Sequence, residues 1–190
     1  MTFNNTHSSP PHPSPMVTSA RELVRYQPAA DHPAVFIIKP PTLFEREALR
    51  RDLGALGARL PRDSDLFEAM RLGVDAVVVA EDRGRAHDLI DTADAVRTGA
   101  LSPDHLDGLT AQLEHLEAEL RRHYPPFAAL WADREYYLSV APLAAAARFV
   151  TQVEGAAIDL PRDGRGHITD DGLRALAMAT SEAHVVAAGY

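Results

Sequence analysis

The chain has 190 residues, 46% of them hydrophobic and 24% charged, which fits one globular domain with a substantial core. Nineteen Lys and Arg against 27 Asp and Glu leave a formal net charge of −8, which argues against a protein that grips nucleic-acid phosphates or an anionic membrane surface. The absence of cysteine excludes disulfide frameworks, thiolate zinc sites and thiol nucleophiles, and with no readable signal peptide or membrane-spanning run a soluble, intracellular protein is expected.

Residues 1–33 separate by composition: MTFNNTHSSPPHPSPM is rich in Ser, Pro, Asn and His and has almost nothing to bury. A flexible, disordered leader is expected there, and His7 and His12 lack the rigid frame that a metal site requires. From Ala34 to Lys39 the run AVFIIK is β-branched and aromatic, reads as a strand or extended arm, and stops at Pro40 and Pro41. So short a strand is not stable alone, and only weak further candidates follow, such as Val77 to Val79, so its free edge must be paired or covered.

Thr42-Leu43-Phe44-Glu45 spells a capping box, in which the Thr42 hydroxyl accepts from the Glu45 amide and the Glu45 carboxylate reaches back to the Thr42 amide. Phe44, Ala48, Leu49, Leu53 and Leu56 then recur at helical spacing, Arg46, Arg50 and Arg51 fall largely outside that stripe, and Gly57 supplies the exit. Arm, diproline corner and capped helix together fix the direction in which an apolar edge is presented, because each proline restricts its own φ and its predecessor.

The rest is helical in pattern. Asp63 or Ser64 caps a segment through Leu66, Phe67, Met70, Val74, Val77 and Val78, read as helix although its valines also suit a short strand. Arg85 to Arg97 places Leu89, Ile90, Ala93 and Val96 on one side and Asp88, Asp91 and Asp94 on the other, closed by Gly99; with His87 and Asp91 lacking further ligands of metal spacing, the polar side reads as a solvated acidic face. Ser102 and Pro103 open a helix along which Leu106, Leu109, Leu113, Leu116 and Leu120 form an a/d seam, ordinarily packed within the molecule and alternatively offered to a partner. His115, Glu119 and His123 stand away from that seam, pointing to water, and do not have the spacing of a zinc-protease site.

Pro125 and Pro126 end this helix, and Phe127, Leu130, Trp131, Tyr137 and Leu138 mark the next, with an aromatic stripe expected in the core. Pro142 kinks or restarts it, and Leu143, Ala147, Phe149, Val150 and Val153 carry helix on to Gly155. Asp163 to Thr169 resembles the middle of a calcium loop only superficially, because alignment on Gly166 puts Pro161, Arg165 and Gly172 where ligands are required; a plain turn is expected, with Thr169 capping a last helix through Leu173 and Leu176. No nucleophile elbow, P-loop or dinucleotide fingerprint is present, so neither catalytic residues nor a cofactor is expected.

The run AVFIIKPPTLFEREALRRDLGALGARL, a mostly helical middle, and FVTQVEG followed by a turn and DDGLRAL resemble the tail assembly chaperones of long-tailed bacteriophages, prophages and gene transfer agents. Lys39, Pro41, Thr42, Glu45, Arg46, Gly57, Ala58 and Arg59 occupy the positions of that family's N-terminal pattern, and the likeness runs from about Ala34 to Leu176, with Gln152 and Val153 standing where a tryptophan is expected. The resemblance implies a non-enzymatic, mostly helical protein of the host cytoplasm that coats and solubilises the tape measure protein and helps recruit tail tube subunits. The partner-binding residues expected on this basis are Phe36, Ile38, Lys39, Pro41, Thr42, Phe44, Glu45, Arg46 and Leu49, together with Leu109, Leu113, Leu116 and Leu120 of the seam. A structural virion component, such as a tail or head-to-tail connector subunit, is the alternative, and a small helical enzyme using scattered His and Asp a remoter one. The organisation expected is a mostly α domain over 34–180 with one short N-terminal strand, a C-terminal tail over 181–190, and self-association as a further option.

Overall fold

The AVFIIK run forms β2 (Val35–Ile38), which lies in the middle of a three-stranded antiparallel sheet between β1 (Val24–Tyr26) and β3 (Val150–Glu154). The computed structural model describes residues 22–190, so most of the leader, His7 and His12 fall outside the described residues. Tyr26 stands opposite Phe36, which stands opposite Val153, and a bulge between Ile37 and Ile38 shifts the pairing with β3. The Lys39 amide still reaches the Phe149 carbonyl at 2.8 Å beyond the bulge.

The sheet corrects two expectations. Val24 to Tyr26 fall within the span assigned to a disordered leader, yet they pair with β2, and the Tyr26 ring packs on Phe36 with centroids 6.0 Å apart. Val150 to Val153 were expected to continue a helix to Gly155, but their β-branched residues turn extended and supply the second edge that β2 lacks. Arg25 on β1 spans β2 to fork Glu154 on β3 at 2.9 and 2.6 Å, tying the two outer strands together. Gly155 ends β3 with φ at 75°, where a Cβ would lie 1.9 Å from the Pro33 carbonyl oxygen, so no larger residue fits that turn.

Seven helices occupy the rest of the described residues: α1 (Leu43–Ala55), α2 (Asp63–Val77), α3 (Ala80–Arg97), α4 (Thr110–His123), α5 (Pro125–Phe149), α6 (Asp170–Ala179) and α7 (Glu182–Gly189). The protein is mostly α with a small sheet. α2 is helical as read but stops at Val77: Val78 and Val79 turn extended, and the helix starts at Asp63 after Arg62 without the side-chain cap expected from Asp63 or Ser64. Helix formation after Ser102 is interrupted: Pro103–Leu106 is a single 3-10 turn, and Gly108, at φ 77°, separates it from α4, so Leu106 and Leu109 lie outside the helix. Pro142 lies inside one continuous α5 of 25 residues instead of restarting it, giving a rod of roughly 37 Å.

That rod joins two apolar clusters. Near its start, Phe127 packs with Leu66, Met70, Val74, Ile90 and Leu120 of α2, α3 and α4. Near its end, Ala146 packs with Phe36, Val150, Ile168, Leu176 and Val185, bringing the sheet, α6 and α7 against it. Full burial of a side chain such as Phe36, Phe127 or Leu120, each 0% exposed, contributes about 1.5–3 kcal/mol. Residues 181–190 are therefore not a tail: Ser181 caps α7 by accepting from the His184 amide, and Val185 and Ala188 are buried against α5 and α6.

Candidate functional site

The first turn of α1 is fixed by a closed set of hydrogen bonds. The Glu45 carboxylate accepts from the Thr42 amide and hydroxyl at 2.9 Å each and from Lys39 Nζ at 2.5 Å, while the Thr42 hydroxyl accepts from the Glu45 amide at 3.2 Å. The Lys39 ammonium, and next the Thr42 amide, hold the Glu45 carboxyl down at about 2. The capping box read from the sequence is present with both of its bonds, and Lys39 ties it back to the end of β2.

On this rigid turn Leu43 is 70% exposed and Phe44 86% exposed, an adjacent apolar pair facing solvent. The α1 stripe therefore divides: Leu53 is buried, Ala48 and Leu49 are half-buried, and Phe44 and Leu56 face outwards. Among the other expected contact residues, Thr42 and Arg46 are exposed and Ile38, Lys39 and Pro41 half-buried. Phe36 is a correction, since at 0% exposed it is a core residue beneath the sheet and presents no surface.

The leucine seam is likewise turned inward. Leu120 is 0% exposed, and Leu113 and Leu116 pack half-buried against the cluster around Phe127, which leaves this seam an internal joint in the folded chain. Leu109 remains half-buried at the start of α4. His115 and Glu119 line an open groove of about 590 Å³ with Leu89 and Leu116, and Glu119 pairs with Arg122 at 2.9 Å and His123 at 3.5 Å. His87 turns to Asp75 at 2.9 Å, and Asp91 and Asp94 clasp Arg71 of α2 at 2.8 Å each, so the acidic face of α3 is in part an interhelical contact. Among the described residues no three His, Asp or Glu are grouped so as to hold a metal ion.

A polar cleft that sequence reading missed opens beside the capped turn. It measures about 620 Å³ and lies between α1, the end of α5, β3 and the 161–169 turn. At its floor, Arg148, its side chain 10% exposed, donates to Asp52 of α1 at 2.5 Å and through Nε to His167 Nε2 at 3.2 Å. That bond requires His167 Nε2 to be the acceptor, so the ring proton sits on Nδ1, 3.9 Å from Asp163. Asp163 in turn accepts from the amides of Arg165 and His167, His167 being the larger reason its carboxyl is held below the usual range. Arg162 donates to the carbonyls of Gly166, Val150 and Thr151 at 2.8, 3.0 and 2.8 Å, covering part of the outer edge of β3. The signal for this cleft in the sequence is the basic RDGRGH turn, whose two arginines and histidine suit an anion better than a cation.

No family model, curated protein or solved structure matches the chain. Among the described residues no helix is long and apolar enough to cross a membrane.

Proposed function

We propose that the chain is a non-enzymatic polypeptide-binding protein of the tail-assembly-chaperone type, which shields the apolar surface of a tape measure protein in the host cytoplasm until tail tube subunits enclose it. The observation that carries this reading is the pair Leu43 and Phe44, held outward on a turn whose every capping bond is made. The capping box, the diproline corner and the Lys39–Glu45 ion pair fix the direction of two adjacent solvent-facing apolar side chains, and that preorganisation supports a contact role. The likeness over residues 34–59 supplies the class of partner.

Coexpression with a tape measure protein tests the proposal. The soluble fraction of the tape measure rises in the presence of this chain, and the two copurify. Equal insolubility with and without the chain contradicts it, and so does finding the chain at stoichiometric amounts in purified particles, which is the outcome expected of a structural component.

A further inference from the structure

The cleft beside α1 carries a charge imbalance opposite in sign to that of the chain. Lys39, Arg51, Arg148, Arg162 and Arg165 line it with two carboxylates, Glu45 and Asp52, in a chain whose net charge is −8. Lys39 is committed to Glu45, and Arg148 to Asp52 and His167. The other three guanidinium groups are not so balanced. Arg162 bonds only backbone carbonyls, Arg165 shares Asp52 with Arg148 through a long contact of 3.9 Å, and Arg51 has no carboxylate within ion-pair distance among the described residues. Residues 1–21 contain no Asp or Glu that could supply one.

We infer that this cleft binds a small polyphosphate-class anion, gripped by Arg51, Arg162 and Arg165. The three guanidinium groups reach the cleft from α1, from the first arm of the 161–169 turn and from its tip. Donors arriving from different directions suit the tetrahedral oxygens of linked phosphates, whereas a lone planar carboxylate satisfies one fork at a time. The three carbonyls that hold Arg162 set its guanidinium in place before a ligand arrives, which lowers the ordering cost of binding. The lining carries charged heads from Lys39, Arg51, Arg148, Arg162 and Arg165 on aliphatic stems, so the ligand it suits is an anion met mainly by guanidinium groups. A volume of about 620 Å³ exceeds that of a single phosphate and accommodates a chain of two or three. The cleft lies beside the turn that carries Leu43 and Phe44 and shares Glu45 with it, but its proposed ligand is held by Arg51, Arg162 and Arg165, none of which belongs to that turn.

Calorimetric titration of the full chain with inorganic tripolyphosphate tests the inference. Saturable binding at one site is expected, weakened about tenfold by Arg51→Gln and again by Arg165→Gln, each of which removes charge-assisted hydrogen bonds from an exposed side chain without touching the core. Arg50→Gln serves as the control, because Arg50 is paired with Glu47 and does not line the cleft. No saturable binding overturns the inference, as does equal weakening by all three variants, which marks diffuse attraction. Capture of an acidic peptide that tripolyphosphate does not displace overturns it as well. Unchanged thermal midpoints in the variants confirm that the fold is intact.

Discussion

Arg148 and Asp52 stand 96 residues apart in the chain and meet at 2.5 Å, with the Arg148 side chain 10% exposed and that of Asp52 44% exposed. This contact anchors α1 to the end of α5, and its two members are unequal. Asp52→Asn leaves a nearly buried guanidinium with no carboxylate partner, only the His167 ring nitrogen and the Glu45 carbonyl beside it, and a loss of about 1–2 kcal/mol is expected, below the figure for a fully buried pair because Asp52 is partly solvated. Urea denaturation measures it, and an unchanged midpoint contradicts this view of the contact.

Glu45 links the capped turn to pH. Its carboxyl is held at about 2 against an ordinary value of 4.5, so the folded state keeps the anion that an unfolded chain would protonate. The contribution is fully present above pH 4.5 and is lost as pH falls through about 2. With both side chains of the Lys39 pair partly solvated, it amounts to under about 1 kcal/mol. The stability difference between the protein and Glu45→Gln, followed by urea denaturation, shrinks across that interval; a difference that grows on acidification is inconsistent with the assigned bonds.

Because α5 runs through both apolar clusters, they are expected to unfold together. Phe36→Ala, in the sheet cluster, costs about 3–5 kcal/mol, and Leu120→Ala, in the other, about 2–5 kcal/mol. Trp131, the one tryptophan, belongs to the Leu120 cluster and reports it by fluorescence. In Phe36→Ala its transition should shift together with the far-ultraviolet circular dichroism; two separated transitions would show the clusters to be independent.

Two glycine replacements should have opposite signs. Gly155→Ala forces a side chain into positive φ and onto the Pro33 carbonyl, and a cost above about 2 kcal/mol is expected. Gly84→Ala, inside α3 with nothing within 4 Å of the added carbon, should stabilise by about 0.5–1 kcal/mol. Thermal midpoints of the two variants decide the matter.

What was legible in the sequence was local. The capping box, the diproline stop after β2 and the Thr169 cap each depend on neighbours a few residues away, and each is where it was expected. The misreadings concern partners distant in sequence. Val24 to Tyr26 is too short to register as a strand until β2 pairs with it, and Val150 to Val153 follows so helical a stretch that only its pairing with β2 makes it extended. The leucine period marked α4 from Leu113 to Leu120 but overran its start, since Leu106 and Leu109 lie outside the helix; nor can a period say which helix it meets, and here it meets α2 and α5. Of the basic cleft only the RDGRGH turn shows in the sequence, since Arg51, Arg148 and Arg165 are brought together only by the fold.

Whether Leu43 and Phe44 contact another polypeptide, as proposed, is decided by copurification of a coexpressed tape measure protein with Phe44→Asp. Phe44 is 86% exposed, so the variant should keep the melting temperature of the parent while the captured tape measure falls at least tenfold. Capture equal to that of the parent would contradict the account.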